Sequence, residues 1–109
     1  MSDDDPGVFD EFLHSPIRLR ICGLLGNADS IEFHVVRETL DITDAHLSKN
    51  IKALADAGYV TVAKKTSDER GDSRRLTWLT LTGKGHRAFT QHFRALKAIA
   101  AGHDNTHSS

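Results

Sequence analysis

Only three residues, Asp41-Ile42-Thr43, separate two stretches whose apolar side chains recur at helical spacing, which leaves room for nothing longer than a tight turn. Before the break, Phe33, Val36 and Leu40 mark a helix over about Phe33 to Leu40. After it, Leu47, Ile51 and Leu54 form one stripe of a helix that runs to Gly58. Thr43 suits the N-cap of that helix, and Asp44 falls in its positively polarised first turn. The period then changes. Tyr59-Val60-Thr61-Val62-Ala63 and Leu76-Thr77-Trp78-Leu79-Thr80-Leu81 are rich in β-branched and aromatic residues, with Asp68, Gly71, Asp72 and Ser73 between them. This pattern predicts a β-hairpin.

The flanks complete the element order. Ser15-Pro16 reads as an N-cap followed by a first-turn proline, opening a helix that carries Ile17, Ile21, Leu24 and Leu25 and ends near Gly26. The spacing of Phe9, Phe12 and Leu13 predicts a short leading helix before it. A last helix begins after Thr82 and carries Phe89, Phe93, Leu96, Ile99 and Ala100. A chain of 109 residues supports one hydrophobic core. The expectation is one mostly α, α+β domain over residues 8–101, with residues 1–7 and 102–109 polar, aperiodic and disordered.

The formal net charge of -1 hides a lopsided distribution. Up to residue 43, three arginines stand against nine acidic residues; between residues 44 and 87, nine lysines and arginines stand against five. Polyanion binding depends on the local patch more than on the total. Cys22 is the only cysteine, which excludes an internal disulfide and a thiolate zinc cluster within one chain; its apolar helical setting predicts a buried, inert thiol. No apolar run reaches the ~20 residues of a membrane span. The acidic start Met1-Ser2-Asp3-Asp4-Asp5 lacks the order of a secretory signal, so a cytoplasmic location and no membrane partner are expected.

The helix after the tight turn has the division of faces that a major-groove reader needs. With Leu47, Ile51 and Leu54 turned inward, the opposite face carries Ala45, Lys49, Lys52 and Asp56, flanked by His46 and Asn50. Its N-terminal part selects Ala45, His46, Lys49 and Asn50 for base edges, while Ser48 and Lys52 suit the phosphates and Thr43 at the N-cap completes the expected DNA-binding set. From this helix alone, a solvated surface explains the pattern equally well. The hairpin adds Lys64, Lys65, Arg70, Arg74 and Arg75 around its arms and tip, placed to meet phosphates or a minor groove. Asp68, Glu69 and Asp72 in the same loop either tether those arginines or keep the tip away from DNA.

Four segments together resemble the winged helix-turn-helix regulators of the MarR and ArsR type, especially the short stand-alone members. They are Ser-Pro-Ile-Arg-Leu-Arg-Ile at 15 to 21, Leu-Asp-Ile-Thr-Asp-Ala-His-Leu-Ser-Lys-Asn-Ile-Lys-Ala-Leu at 40 to 54, Ala-Gly-Tyr-Val at 57 to 60, and Leu-Thr-Leu-Thr-Gly-Lys-Gly at 79 to 85. The resemblance spans about Ser15 to Leu96 and implies a three-helix core, a recognition helix at about 44–57, a two-stranded wing at about 60–81, and dimerisation through the terminal helices. The implied function is transcription regulation on double-stranded DNA. At position 50 many relatives carry histidine or arginine where this chain has Asn50, a residue that pairs well with adenine.

Dimer contacts are expected from Phe89, Phe93 and Leu96, which exceed what one short helix needs for packing on its own domain, joined by Phe9 and Phe12; the alternative is that they complete the intramolecular core. Two other readings stand beside DNA binding. Some ArsR-type relatives bind zinc on the last helix, but here His92 and His103 lack the accompanying carboxylates, so His86, His92, His103 and His107 are expected as solvated surface residues, with no metal and no cofactor. The other is a winged helix used only for protein contacts, which the basic hairpin opposes. No spacing supplies a nucleophile with its base or a carboxylate pair, so no enzyme is expected.

Overall fold

The computed structural model describes residues 5–66 and 75–102, and its elements follow from local signals in the chain. Helix α1 spans Pro16–Leu25, with Ser15 as the extended N-cap whose hydroxyl accepts from the Arg18 N–H. Helix α2 (Phe33–Leu40) ends at Asp41, which takes left-handed backbone (φ 55) so that the N–H groups of Asp41 and Ile42 return to the Glu38 and Arg37 carbonyls. Helix α3 (Asp44–Asp56) starts at Thr43, whose hydroxyl accepts from His46 N–H at 3.0 Å. It closes by a Schellman pattern: Gly58, at φ 83, donates to Ala55 O and Tyr59 donates to Leu54 O, both at 2.9 Å.

The hairpin consists of β2 (Val60–Thr66) and β3 (Arg75–Leu81), antiparallel from Val60 opposite Leu81 out to Thr66 opposite Arg75. A two-residue strand, β1 (Ile31–Glu32), pairs with β3 at Leu79 and Trp78 and gives a three-stranded sheet of order β1-β3-β2. No pattern in the sequence marked β1, because two residues carry no periodicity. Helix α4 (Gly83–Ala100) is capped by Thr82, whose hydroxyl accepts from Gly85 N–H at 2.9 Å. A Cβ at Gly85 would collide with the Tyr59 carbonyl and the Leu81 side chain, so only glycine lets α4 start this close to the hairpin.

The core lies between α1, α2, α3 and the sheet: Ile21, Cys22, Leu25, Val36, Leu47, Leu54 and Leu79 are each at most 1% exposed. Each large apolar side chain removed from water contributes about 1.5 to 3 kcal/mol. Leu13 joins this core, but not from a helix. The leading helix expected at Phe9, Phe12 and Leu13 is absent. Instead the Asp10 carboxylate accepts from the N–H groups of Phe12 (2.9 Å) and Leu13 (3.1 Å), a side-chain turn that reproduces helical spacing without a helix. Of residues 1–7, expected as a disordered segment, part is described. Residues 1–4 lie outside the described residues, whereas Asp5 pairs with Arg94 at 3.2 Å and Val8 N–H donates to Gln91 O at 3.1 Å, laying the segment along α4. Residues 103–109, most of the expected disordered tail, also lie outside the described residues.

Candidate nucleic-acid interface

The inward face of α3 holds Leu47, Ile51 and Leu54 in the core, which fixes what its other face presents. Ala45, His46, Ser48, Lys49 and Lys52 are all exposed there, as is Thr43 at the N-cap. Lys52 is paired with Asp56 one turn on, at 3.3 Å. Across the tight turn, Arg37 Nε of α2 meets the Asp44 carboxylate at 2.8 Å, tying the start of α3 to the preceding helix. Its two charges flank the turn, so the sequence carried a local signal for this pair.

Asn50 departs from the expectation. It is 6% exposed, and its amide is engaged inside the fold: Oδ1 accepts from Arg18 Nε at 3.1 Å and Nδ2 donates to the His46 carbonyl at 3.0 Å. Asn50 therefore does not stand among the base-edge residues. The signal was present, because position 50 lies three after Leu47 and four before Leu54, on the apolar stripe itself. Its partner Arg18, 32 residues earlier, carried no such signal.

On the wing, Lys64, Lys65 and Arg75 are exposed. Lys64 stands opposite Thr77, Lys65 opposite Leu76 and Arg75 opposite Thr66, so the strand alternation puts Lys64 and Arg75 on one face and Lys65 on the other. Arg70 and Arg74 fall in 67–74, outside the described residues.

The expected dimer residues divide. Phe12 and Phe89 are partly buried against the chain's own core, and Leu96 is half-buried. Phe93 is 50% exposed beside a stacked Phe89, and Phe9 is 38% exposed. His92, expected on the surface, is fully buried: its Nδ1 accepts from Asp10 N–H at 2.9 Å, and the Phe9 ring packs edge-on against it. Burial, then the nearby His14, lowers its pKa. His86 is exposed; His103 and His107 lie outside the described residues. Among the described residues no three of His, Cys, Asp and Glu converge on one point. Cys22 is buried, and burial pushes its thiol up to about 11. No described helix is long and apolar enough to cross a membrane.

The profile of the winged helix DNA-binding domain family matches residues 17–100. An uncharacterized protein of Methanocaldococcus jannaschii is 30% identical over 79 residues, covering 72% of this chain and 82% of its own. The structure of a transcriptional regulator homologue from Pyrococcus horikoshii superposes with a TM-score of 0.77 at 27% identity, over 85% of this chain and 88% of that one. The PcaV transcriptional regulator of Streptomyces coelicolor, solved with its natural ligand, shares the fold at a TM-score of 0.66 and 18% identity, over 86% of this chain and 62% of its own. The match over most of its length, with the helix, tight turn, helix and wing in order, shows that the chain belongs to the winged helix DNA-binding domain family.

Proposed function

We propose that this chain is a sequence-specific transcriptional regulator that reads duplex DNA with α3 in the major groove and steadies itself with the wing. One observation carries the reading: α3 buries one face in the core and leaves Ala45, His46, Ser48, Lys49 and Lys52 exposed on the other. Ala45, His46 and Lys49 face base edges, and Thr43, Ser48 and Lys52 face the phosphate backbone. Lys64, Lys65 and Arg75 of the wing neutralise phosphates, and Arg70 and Arg74, which lie between its two strands in the sequence, are assigned the same role. A homodimer, joined through the apolar surface around Phe93 and Phe9, presents two such helices to half-sites about 10 bp apart.

The test separates specificity from charge. Each variant is titrated onto a preferred duplex and a scrambled one across a salt series. Lys49→Ala or His46→Ala is expected to cost about 1 to 3 kcal/mol on the preferred duplex and leave the scrambled one nearly unaffected. Lys64→Ala is expected to weaken both duplexes and lower the salt slope by about one unit. An unchanged preferred-to-scrambled ratio in both Lys49→Ala and His46→Ala overturns the assignment of α3 as the reading helix.

A further inference from the structure

Asn50 is a buried amide in a stripe that leucine would fill, and its neighbours along α3 are the residues assigned to the bases. Its two hydrogen bonds are directional in a way that the surrounding hydrocarbon is not. Leucine contacts tolerate sliding and rotation of a helix, whereas a bond of 3.1 Å from Arg18 Nε to Asn50 Oδ1 is lost when α3 shifts by an ångström or two. The other bond, from Asn50 Nδ2 to the His46 carbonyl, lies within α3 and holds the amide with Oδ1 toward Arg18, so the Arg18 bond is the one that ties α3 to α1.

Arg18 is itself held from the far side. Its guanidinium donates to the Phe12 carbonyl at 3.1 Å and lies 4.3 Å over the Phe12 ring, and a planar guanidinium with two bonds and a stacked face has one orientation. Phe12 is held in turn. Its N–H donates to Asp10, and its ring packs edge-on against Tyr59, whose hydroxyl donates to the Asp10 carboxylate at 2.7 Å. The Asp10 N–H closes the series on His92 of α4. Phe12, Asp10 and Tyr59 also line an open cleft of about 520 Å³, together with Val8, Phe9 and Gln91.

We propose that Arg18 and Asn50 are a positioning pair that sets the depth and rotation of α3, and that the N-terminal segment, through Phe12, is thereby part of the specificity apparatus without touching DNA. This rests on α3 being the reading helix. A pair of this kind governs discrimination more than affinity, because non-specific binding depends on surface charge and phosphate contacts. A buried polar pair that fixes register rather than adding stability is a known use of such groups.

The preferred site is first selected from a random-sequence duplex pool by repeated binding and amplification. Binding to that duplex and to a scrambled one of equal composition is then measured by fluorescence anisotropy across a salt series, alongside thermal melting. Arg18→Lys keeps the charge but loses the fork, and Asn50→Leu completes the apolar stripe. Each is expected to lose about tenfold in affinity for the selected duplex with scrambled binding and salt slope little changed, and to keep that selective loss well below its melting transition, which the unpartnered group lowers. The double variant is expected to be no worse than Asn50→Leu alone. Full discrimination in both single variants overturns the proposal, and so does a parallel loss on both duplexes that tracks a lowered melting temperature. A wild-type protein that enriches no preferred sequence overturns the reading-helix assignment itself, and the positioning pair falls with it.

Discussion

The imidazole of His92 accepts a hydrogen bond at Nδ1, and protonating that nitrogen would set a donor against the Asp10 N–H in a fully buried position. Its pKa is lowered by burial and by His14, with Asp10 and Glu11 opposing. The unfolded chain therefore takes up this proton more readily than the folded one. The resulting stability is present above the ordinary histidine value of about 6.5 and is lost as the pH falls below it toward the folded value. The melting temperature is expected to drop between about pH 7 and pH 5. His92→Asn, which keeps an acceptor for Asp10 but does not titrate, should flatten that drop. An undiminished drop in the variant would assign the effect to other groups. At this scale the sequence misled because burial of one histidine depends on a segment 82 residues away, a contact no local pattern reports.

The tight turn between α2 and α3 shows what an element boundary demands. Asp41 holds φ 55, a conformation in which a non-glycine residue is strained by about 1 kcal/mol or more. Asp41→Gly keeps both closing N–H bonds and relieves the strain, so the urea midpoint is expected to rise by the equivalent of about 0.5 kcal/mol at most, net of the entropy glycine adds to the unfolded chain. A fall in the midpoint would mean that the Asp41 side chain stabilises the turn. The helices themselves were legible, since caps and apolar stripes are local: Ser15, Thr43 and Thr82 each cap the helix they precede. The hairpin was legible from its β-branched runs. β1 and the Asp10 turn were not, because one is too short for a period and the other imitates a helical one. In the candidate interface, the exposed face of α3 followed from its buried stripe. The inward turn of Asn50 was legible from its place on that stripe, but its partner Arg18, which sits in another helix, was not.

For the molecule as a whole, the apolar surface of α4 bears on assembly. Phe93 and Ile99 are 50% and 48% exposed there, and Val8 and Phe9 are 64% and 38% exposed on the segment laid along the same helix. We expect sedimentation to find a dimer at micromolar concentration, and Phe93→Glu to give a folded monomer with the same circular dichroism. A wild-type monomer at that concentration would remove the dimer from the proposed function and with it the paired half-sites.

The segment laid along α4 also has a consequence for the order in which the chain is made. Its anchors join Asp5 to Arg94, Val8 to Gln91 and Asp10 to His92, so the segment before α1 must wait for α4, which is translated after the hairpin. On a ribosome, α1, α2, α3 and the hairpin can form while α4 is still unmade, since their contacts join segments already translated. Phe12 cannot receive its full support until α4 has emerged. The nascent chain thus possesses its helix-turn-helix before it possesses the brace behind Arg18, and the proposed alignment of α3 is completed only once α4 has emerged.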